Sequence, residues 1–179
     1  TELWRTDGTP AGTVMLYDLN LGPASSRPDD LFAAGGSIYF EADEGYGLEP
    51  CVFDGTNTYS IADLRPGSAS SSPGDWVALA SGDVLFSATN GNGFGAAGRE
   101  LFITDGTPAG TRLLADIEQG VDDSSPMWLT ALANGTILLT AETTAAGREL
   151  WTTDGTTANT ALLLDIEPAA QTDSSFPMW

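Results

Sequence analysis

The feature that most constrains this chain is a repeat. Glu2-Leu3-Trp4-Arg5-Thr6-Asp7-Gly8-Thr9 returns as Glu100-Leu101-Phe102-Ile103-Thr104-Asp105-Gly106-Thr107 and as Glu149-Leu150-Trp151-Thr152-Thr153-Asp154-Gly155-Thr156. A degenerate copy, Glu49-Pro50-Cys51-Val52-Phe53-Asp54-Gly55-Thr56, falls between the first two. The leading glutamates stand 47, 51 and 49 residues apart (2 to 49, 49 to 100, 100 to 149). An apolar run ending in Asp18, Asp63, Asp116 or Asp165 follows each copy. A Ser/Pro turn comes next: Ser25-Ser26-Arg27-Pro28, Ser70-Ser71-Ser72-Pro73, Ser124-Ser125-Pro126 and Ser174-Ser175-Phe176-Pro177. A unit of this length buries its faces only by stacking on its neighbours.

Each unit reads as four short strands. In the last full copy they lie near Met127 to Ala133, Thr136 to Ala141, Arg148 to Thr153 and Thr160 to Asp165. Asn134-Gly135 is a two-residue hairpin signal between the first two. Ile137, Leu138 and Leu139 are consecutive rather than alternating, which marks a strand buried on both faces. Four strands per unit of this length predict an all-β β-propeller of antiparallel blades. The chain holds a partial arc of about three and a half of them: the last two strands of a blade over 1–19, full blades over 28–64, 73–117 and 126–166, and the start of another at 176–179.

On these residues the sequence resembles the bacterial ELWxxDGT repeat family, found in large secreted or surface proteins. The resemblance covers essentially the whole chain. The second copy departs from it, with Pro50 for Leu and Cys51 for the aromatic. It implies a propeller-like fold and an extracellular or cell-surface location, and carries no activity with it. The strand order is also similar to kelch repeats, without their paired glycines. Further blades of the same protein, or another copy, are the expected partners for the apolar faces beside Trp4 and Trp179.

Composition removes several chemistries. The chain has 25 Asp and Glu against 6 Lys and Arg, a net charge of −19 and no His. Such a surface repels nucleic acid and anionic membranes. Neither Cys/His zinc sites nor His-dependent nucleophilic catalysis can be built. No apolar stretch is long enough for membrane insertion. Cys51, alone, forms no internal disulfide.

Carboxylates are what remain. Asp7, Asp54, Asp105 and Asp154 sit in the Asp-Gly-Thr turns, where a carboxylate accepts backbone N–H bonds and Gly takes positive φ. Structurally the motif resembles the Asp-box turn of other propellers; a carbohydrate- or calcium-touching loop is the competing reading. Asp116, Glu118, Asp122 and Asp123 are the densest acidic cluster and the calcium candidates, without the D-x-D-x-D-G order of a calcium loop. No cofactor is expected otherwise, and no catalytic residue is assigned. Glu2, Glu49, Glu100 and Glu149 recur at one place per unit, which signals architecture, with Arg99 and Arg148 beside two of them as pairing partners. Trp4, Phe102 and Trp151 are expected to pack blade on blade. Buried Cys51 fills the same slot, with Phe53 compensating for its size. Tyr46 and Phe94 mark loop tips that could meet a ligand.

The expected function is a non-enzymatic extracellular scaffold or adhesion module that binds carbohydrate or protein. The alternative is a propeller-type carbohydrate-active domain with carboxylate chemistry on a loop that breaks the repeat. Its mark would be a non-repeated carboxylate pair in a central channel. A quinone-dependent redox propeller is disfavoured because no Lys is available.

Overall fold

The computed structural model describes residues 1–91 and 98–166. Phe94, the Ser174–Pro177 turn, Trp179 and the segment 176–179 lie outside the described residues. The chain is a partial β-propeller arc. Strands β1 (Leu3–Arg5) and β2 (Val14–Tyr17) form a two-stranded sheet. Three four-stranded antiparallel blades follow, each with its strands in chain order. The second unit holds β3 (Asp29–Ala34), β4 (Ser37–Asp43), β5 (Leu48–Phe53) and β6 (Thr58–Ser60). The third holds β7 (Gly74–Ala78), β8 (Val84–Thr89), β9 (Arg99–Thr104) and β10 (Arg112–Ala115). The fourth holds β11 (Met127–Ala131), β12 (Ile137–Thr143), β13 (Gly147–Thr153) and β14 (Ala161–Leu164). The single helical element among the described residues is a 3-10 turn, Thr157–Asn159. None of the described helices is long and apolar enough to cross a membrane.

Three face-to-face interfaces make the core. Leu3, Leu16 and Leu19 pack on Phe40, Ala42, Cys51 and Phe53. The opposite face of the second unit sets Tyr39, Val52, Ile61 and Leu64 against Trp76, Val84, Phe86 and Phe102 of the third. Val77, Leu85, Leu101, Ile103 and Leu114 then meet Ile137, Leu139 and Trp151 of the fourth. Alternate residues of one strand therefore serve two interfaces. This is why Val84, Leu85 and Phe86 are all fully buried although they are consecutive. Each such large side chain contributes about 1.5–3 kcal/mol of burial. The rings of Trp76, Phe86 and Phe102 stack in series, at centroid separations of 4.7 and 5.5 Å. Cys51 is buried and free, and Phe53 packs in the same cluster, as the alignment of the second copy required.

The first strands β3, β7 and β11 approach one another across the blades, so the arc is wound about them. Strand order then places the crossovers and the second-to-third links at one end, and the Asp-Gly-Thr turns at the other. The Asn134-Gly135 expectation needs correcting. Leu132 N–H donates to Thr136 O and Gly135 N–H to Leu132 O, and Gly135 has φ +87°, which makes a three-residue loop. The two-residue turn belongs to Gly35-Gly36, where both φ values are positive.

Candidate functional site

The Asp-Gly-Thr turns are closed hydrogen-bond rings. Asp105 Oδ1 accepts the Thr107 N–H at 2.8 Å and its hydroxyl at 2.7 Å. The hydroxyl pair Thr104–Thr111 bridges the two strands, and Gly106 N–H donates to Thr104 Oγ1. Asp7 and Asp154 repeat the Thr contacts, at 2.9 and 2.8 Å and at 2.9 and 2.7 Å. Asp54 instead takes the N–H groups of Thr56 and Asn57. These hydroxyl and amide bonds hold Asp7, Asp105 and Asp154 below the usual carboxylate range. A Cβ on Gly110 would lie 2.2 Å from the Asp105 carboxyl carbon, which explains the glycine. In the last copy Asn159 fills that slot and donates its own amide to Asp154 Oδ2 at 2.7 Å. The carboxylates are spent on their own turns.

The repeated glutamates are clasps. Glu100 Oε1 accepts Ser124 N–H at 2.9 Å, and Oε2 accepts Ile117 N–H at 2.8 Å and the Ser124 hydroxyl. Glu49 holds Ser71 and Leu64 in the same way, and Glu2 holds Ser26 and Leu19. Each clasp ties a crossover to a third strand, which gives the Ser-Ser-Pro turns their physical role. Other partners hold the two arginines: Arg99 donates to Ser72 O and Ser87 Oγ, and Arg148 meets Glu142 at 3.3 Å.

The calcium candidates are dispersed. Glu118 caps Thr144 N–H and its hydroxyl at 2.9 and 2.8 Å, and Asp123 accepts Arg99 N–H at 2.6 Å. Asp116 acts on Glu100 through its charge. Among the described residues no group of three Asp, Glu or Cys side chains is arranged to hold a metal ion. Tyr46 is exposed.

A different group of carboxylates gathers at the crossover end of the first strands. Asp30, Asp75 and Trp128 occupy one equivalent position, two residues after each crossover proline. All three have left-handed backbones, with φ of 52, 56 and 55°. Among the described residues six outside glycine have positive φ, and all six lie in the crossovers or at the first strand positions that follow them. That conformation is costly for side-chain-bearing residues, and most so for a bulky one such as Trp. The backbone amide of Asp75 lies on the side of the Asp30 carboxyl and opposes the rise in its pKa. Trp128 N–H in turn donates to Asp75 Oδ1 at 3.0 Å, and Ser87 Oγ to Asp75 Oδ2 at 3.2 Å. The fourth unit thus reaches back to a carboxylate of the third.

Asp29 and Glu41 face each other across β3 and β4. Their counterparts are Gly74 with Ser87 and Met127 with Thr140, so the acidic pair breaks the repeat. Gly74 leaves room for Asp30: a Cβ there would lie 3.0 Å from Asp30 Oδ2. Arg99 crosses the group, bonding Ser72 O at 2.6 Å and Ser87 Oγ at 2.7 Å. Desolvation, then the charges of Asp75 and Asp29, push the Asp30 carboxyl up. Desolvation and the charges of Asp29 and Asp30 do the same to Glu41, with Arg99 and Arg27 opposing. The site therefore sets two carboxyls that burial and like charge push up beside the Asp75 side chain, which accepts from two donors. Sequence reasoning assigned none of these as a site. The signal was the loss of repetition at positions 29, 41 and 74.

No family model matches the chain, and no curated protein sequence matches it. Among solved structures it is similar to a Bifidobacterium bifidum chain assigned as an exo-beta-1,3-galactanase, with a TM-score of 0.41 and 11% identity over 75% of this chain and 50% of that one. It is also similar to the catalytic domain of a Coprinopsis cinerea GH62 alpha-L-arabinofuranosidase, with a TM-score of 0.39 and 14% identity over 80% of this chain and 54% of that one. The chain spans about half the length of each. Both neighbours are glycosidases by name, which goes against the expectation of a scaffold or adhesion module. Likeness at this level carries no chemistry across; the chain's own carboxylates must do that.

Proposed function

We propose that this chain is part of a propeller-type carbohydrate-active enzyme, with its carboxylate chemistry at the crossover end of β3 and β7. One observation carries the reading: Asp29, Asp30, Glu41 and Asp75 cluster where Asp29 and Glu41 depart from the repeat, whereas Asp7, Asp54, Asp105 and Asp154 serve turns and Glu2, Glu49 and Glu100 serve clasps. Glycoside hydrolysis needs a carboxyl that is protonated at working pH and a second that is ionised. Asp30 and Glu41 are the acid candidates, and Asp75, whose carboxyl accepts from Trp128 and Ser87, is the candidate for the second carboxyl. A net charge of −19 favours neutral over anionic glycans as substrate. Three well-kept copies of Glu-Leu-(Trp/Phe)-x-x-Asp-Gly-Thr support membership of the ELWxxDGT repeat family and, with it, an extracellular location.

The test is hydrolysis of a panel of neutral aryl glycosides and polysaccharides, with rates followed against pH. Asp75→Asn is expected to lower kcat at least ~100-fold, in line with loss of a general acid or base. Asp154→Asn, in a turn, is expected to leave it unchanged. Activity that survives Asp75→Asn, Asp30→Asn and Glu41→Gln, or no activity across the panel, would refute the reading.

A further inference from the structure

The residue before each clasp glutamate differs among the three four-stranded blades. In the third unit Arg99 Nη1 donates to Ser72 O at 2.6 Å and Nη2 to Ser87 Oγ at 2.7 Å. In the fourth, Arg148 Nη1 donates to Ser125 O at 2.9 Å and reaches the Thr140 hydroxyl at 3.5 Å. Ser72 and Ser125 are the left-handed residues before the crossover prolines, with φ of 46 and 42°. Ser87 and Thr140 are fully buried and hold one equivalent place on the second strand, opposite Gly74 and Met127. An arginine that clamps a crossover to a buried hydroxyl is therefore architecture. In the second unit the same two places hold Leu48 and Glu41, and a leucine cannot form the clamp.

What the third unit adds is a carboxylate at the end of the clamp. Ser87 Oγ lies 3.2 Å from Asp75 Oδ2 and 3.4 Å from Gly74 O. A guanidinium only donates, so Ser87 Oγ accepts from Arg99 and its single proton is left for one of these two. The carboxylate oxygen is the nearer, and a charged acceptor makes the stronger bond. The other oxygen, Asp75 Oδ1, accepts the Trp128 N–H at 3.0 Å. Both oxygens of Asp75 thus face donors, one of them a backbone amide that cannot turn away. The charged groups facing Asp75 are Asp30 of β3 and Arg99 of β9. In the fourth unit Trp128 takes the place of Asp75. In the second, Asp30 has Glu41 and Leu48 where the hydroxyl and the arginine would stand. Of the three blades, only the third joins arginine, hydroxyl and carboxylate.

We infer that Arg99 and Ser87 form a positioning relay that fixes Asp75 as the proton-accepting carboxylate of the crossover site and leaves proton donation to Asp30 and Glu41. The inference deepens the glycosidase reading and rests on it for its chemistry. Donors fixed on both oxygens favour the ionised form of a carboxylate, and protonating Asp75 costs the Ser87 bond. In glycoside hydrolysis a carboxylate so held serves as base or nucleophile, not as acid. Neither Arg99 nor Ser87 need touch the substrate; both act through Asp75.

The experiment reads the Asp75 carboxyl directly, by carbon-13 NMR titration of the full chain. It is paired with kcat and KM for whichever glycosides the chain hydrolyses. Ser87→Ala is expected to raise the Asp75 titration midpoint by at least ~0.5 pH unit. It should also lower kcat at least ~10-fold with KM little changed, as loss of positioning does. Arg99→Lys lacks the fork that spans Ser72 O and Ser87 Oγ and should move the midpoint in the same direction. Ser87→Thr should restore both readouts, because Thr140 already fills the equivalent place beside an arginine. Thr140→Ala, which removes that equivalent hydroxyl, should move neither. An Asp75 midpoint unchanged in Ser87→Ala would overturn the inference. So would an equal shift from Thr140→Ala, which would make both hydroxyls purely structural. A midpoint that shifts as expected in a chain that hydrolyses no glycoside supports the relay and counts against the enzyme reading alone.

Discussion

Glu2 and Glu100 are the same residue of the same motif with the same set of partners, yet their carboxyls move in opposite directions. Burial acts on both. At Glu2 it is outweighed by the Ser26 hydroxyl, the Ser26 N–H and the Leu19 N–H, and the carboxyl is held down. At Glu100 desolvation wins against the equivalent three donors and pushes it up to about 7. The aromatic slot beside them divides the same way: Trp4 is 56% exposed and Phe102 is fully buried. The motif specifies the clasp, and the neighbouring sheet decides what the clasp is worth. A buried carboxylate loses solvation that three hydrogen bonds do not replace.

The largest test of this contrast is truncation of the aromatic slot. Phe102→Ala should cost about 3–5 kcal/mol in denaturant unfolding, from lost burial plus a cavity between packed blades. Trp4→Ala should cost under about 1 kcal/mol, because little contact is lost. Equal losses would break the comparison.

Titration of Glu100 comes next. Its folded pKa, about 7, lies above its ordinary 4.5. The folded chain therefore keeps a proton that the unfolded chain releases first. The stabilising contribution is full below about 4.5, falls as pH rises toward 7, and reaches at most about 3 kcal/mol. Glu100→Gln should remove this slope from a plot of unfolding free energy against pH. Glu2→Gln should leave it in place, because the Glu2 carboxyl is shifted downward and its contribution is lost on acidification instead. A slope that survives Glu100→Gln would place the titration elsewhere.

The turns should not share the contrast, since their bonds are local. Gly12→Ala and Gly110→Ala both force a Cβ into the carboxylate of Asp7 or Asp105. Each should lower the melting midpoint by a similar amount, with Gly110→Ala costing about 1–2 kcal/mol. Gly110→Asn should be milder, because Asn159 already fills that slot in the last copy. The smallest effect expected is that of Asp105→Ala, about 1 kcal/mol from two turn bonds. It should leave any glycosidase activity untouched.

The carboxylate site was the least legible part. Glu41 reads as one more charge in a strand until it is set against Ser87 and Thr140, and Asp30 until Gly74 is seen to open space beside it. Conversely, Asp116, Glu118, Asp122 and Asp123 crowd together in sequence, but a crossover spreads them. One caps Thr144 and one holds the Arg99 amide, and among the described residues no three acidic side chains are arranged to hold a metal ion.

What the sequence determined by itself is everything that a single unit contains. Strand positions, the Asp-Gly-Thr rings, the slot shared by Cys51 and Phe102 and the glycine at 110 all follow from contacts within about fifty residues. Repetition then amplifies that local signal. Tertiary structure alone decided which glutamate is desolvated and that Asp75 meets Trp128 across blades. Those outcomes depend on whether another sheet lies against the residue, and burial and charge proximity are properties of the stack rather than of the unit.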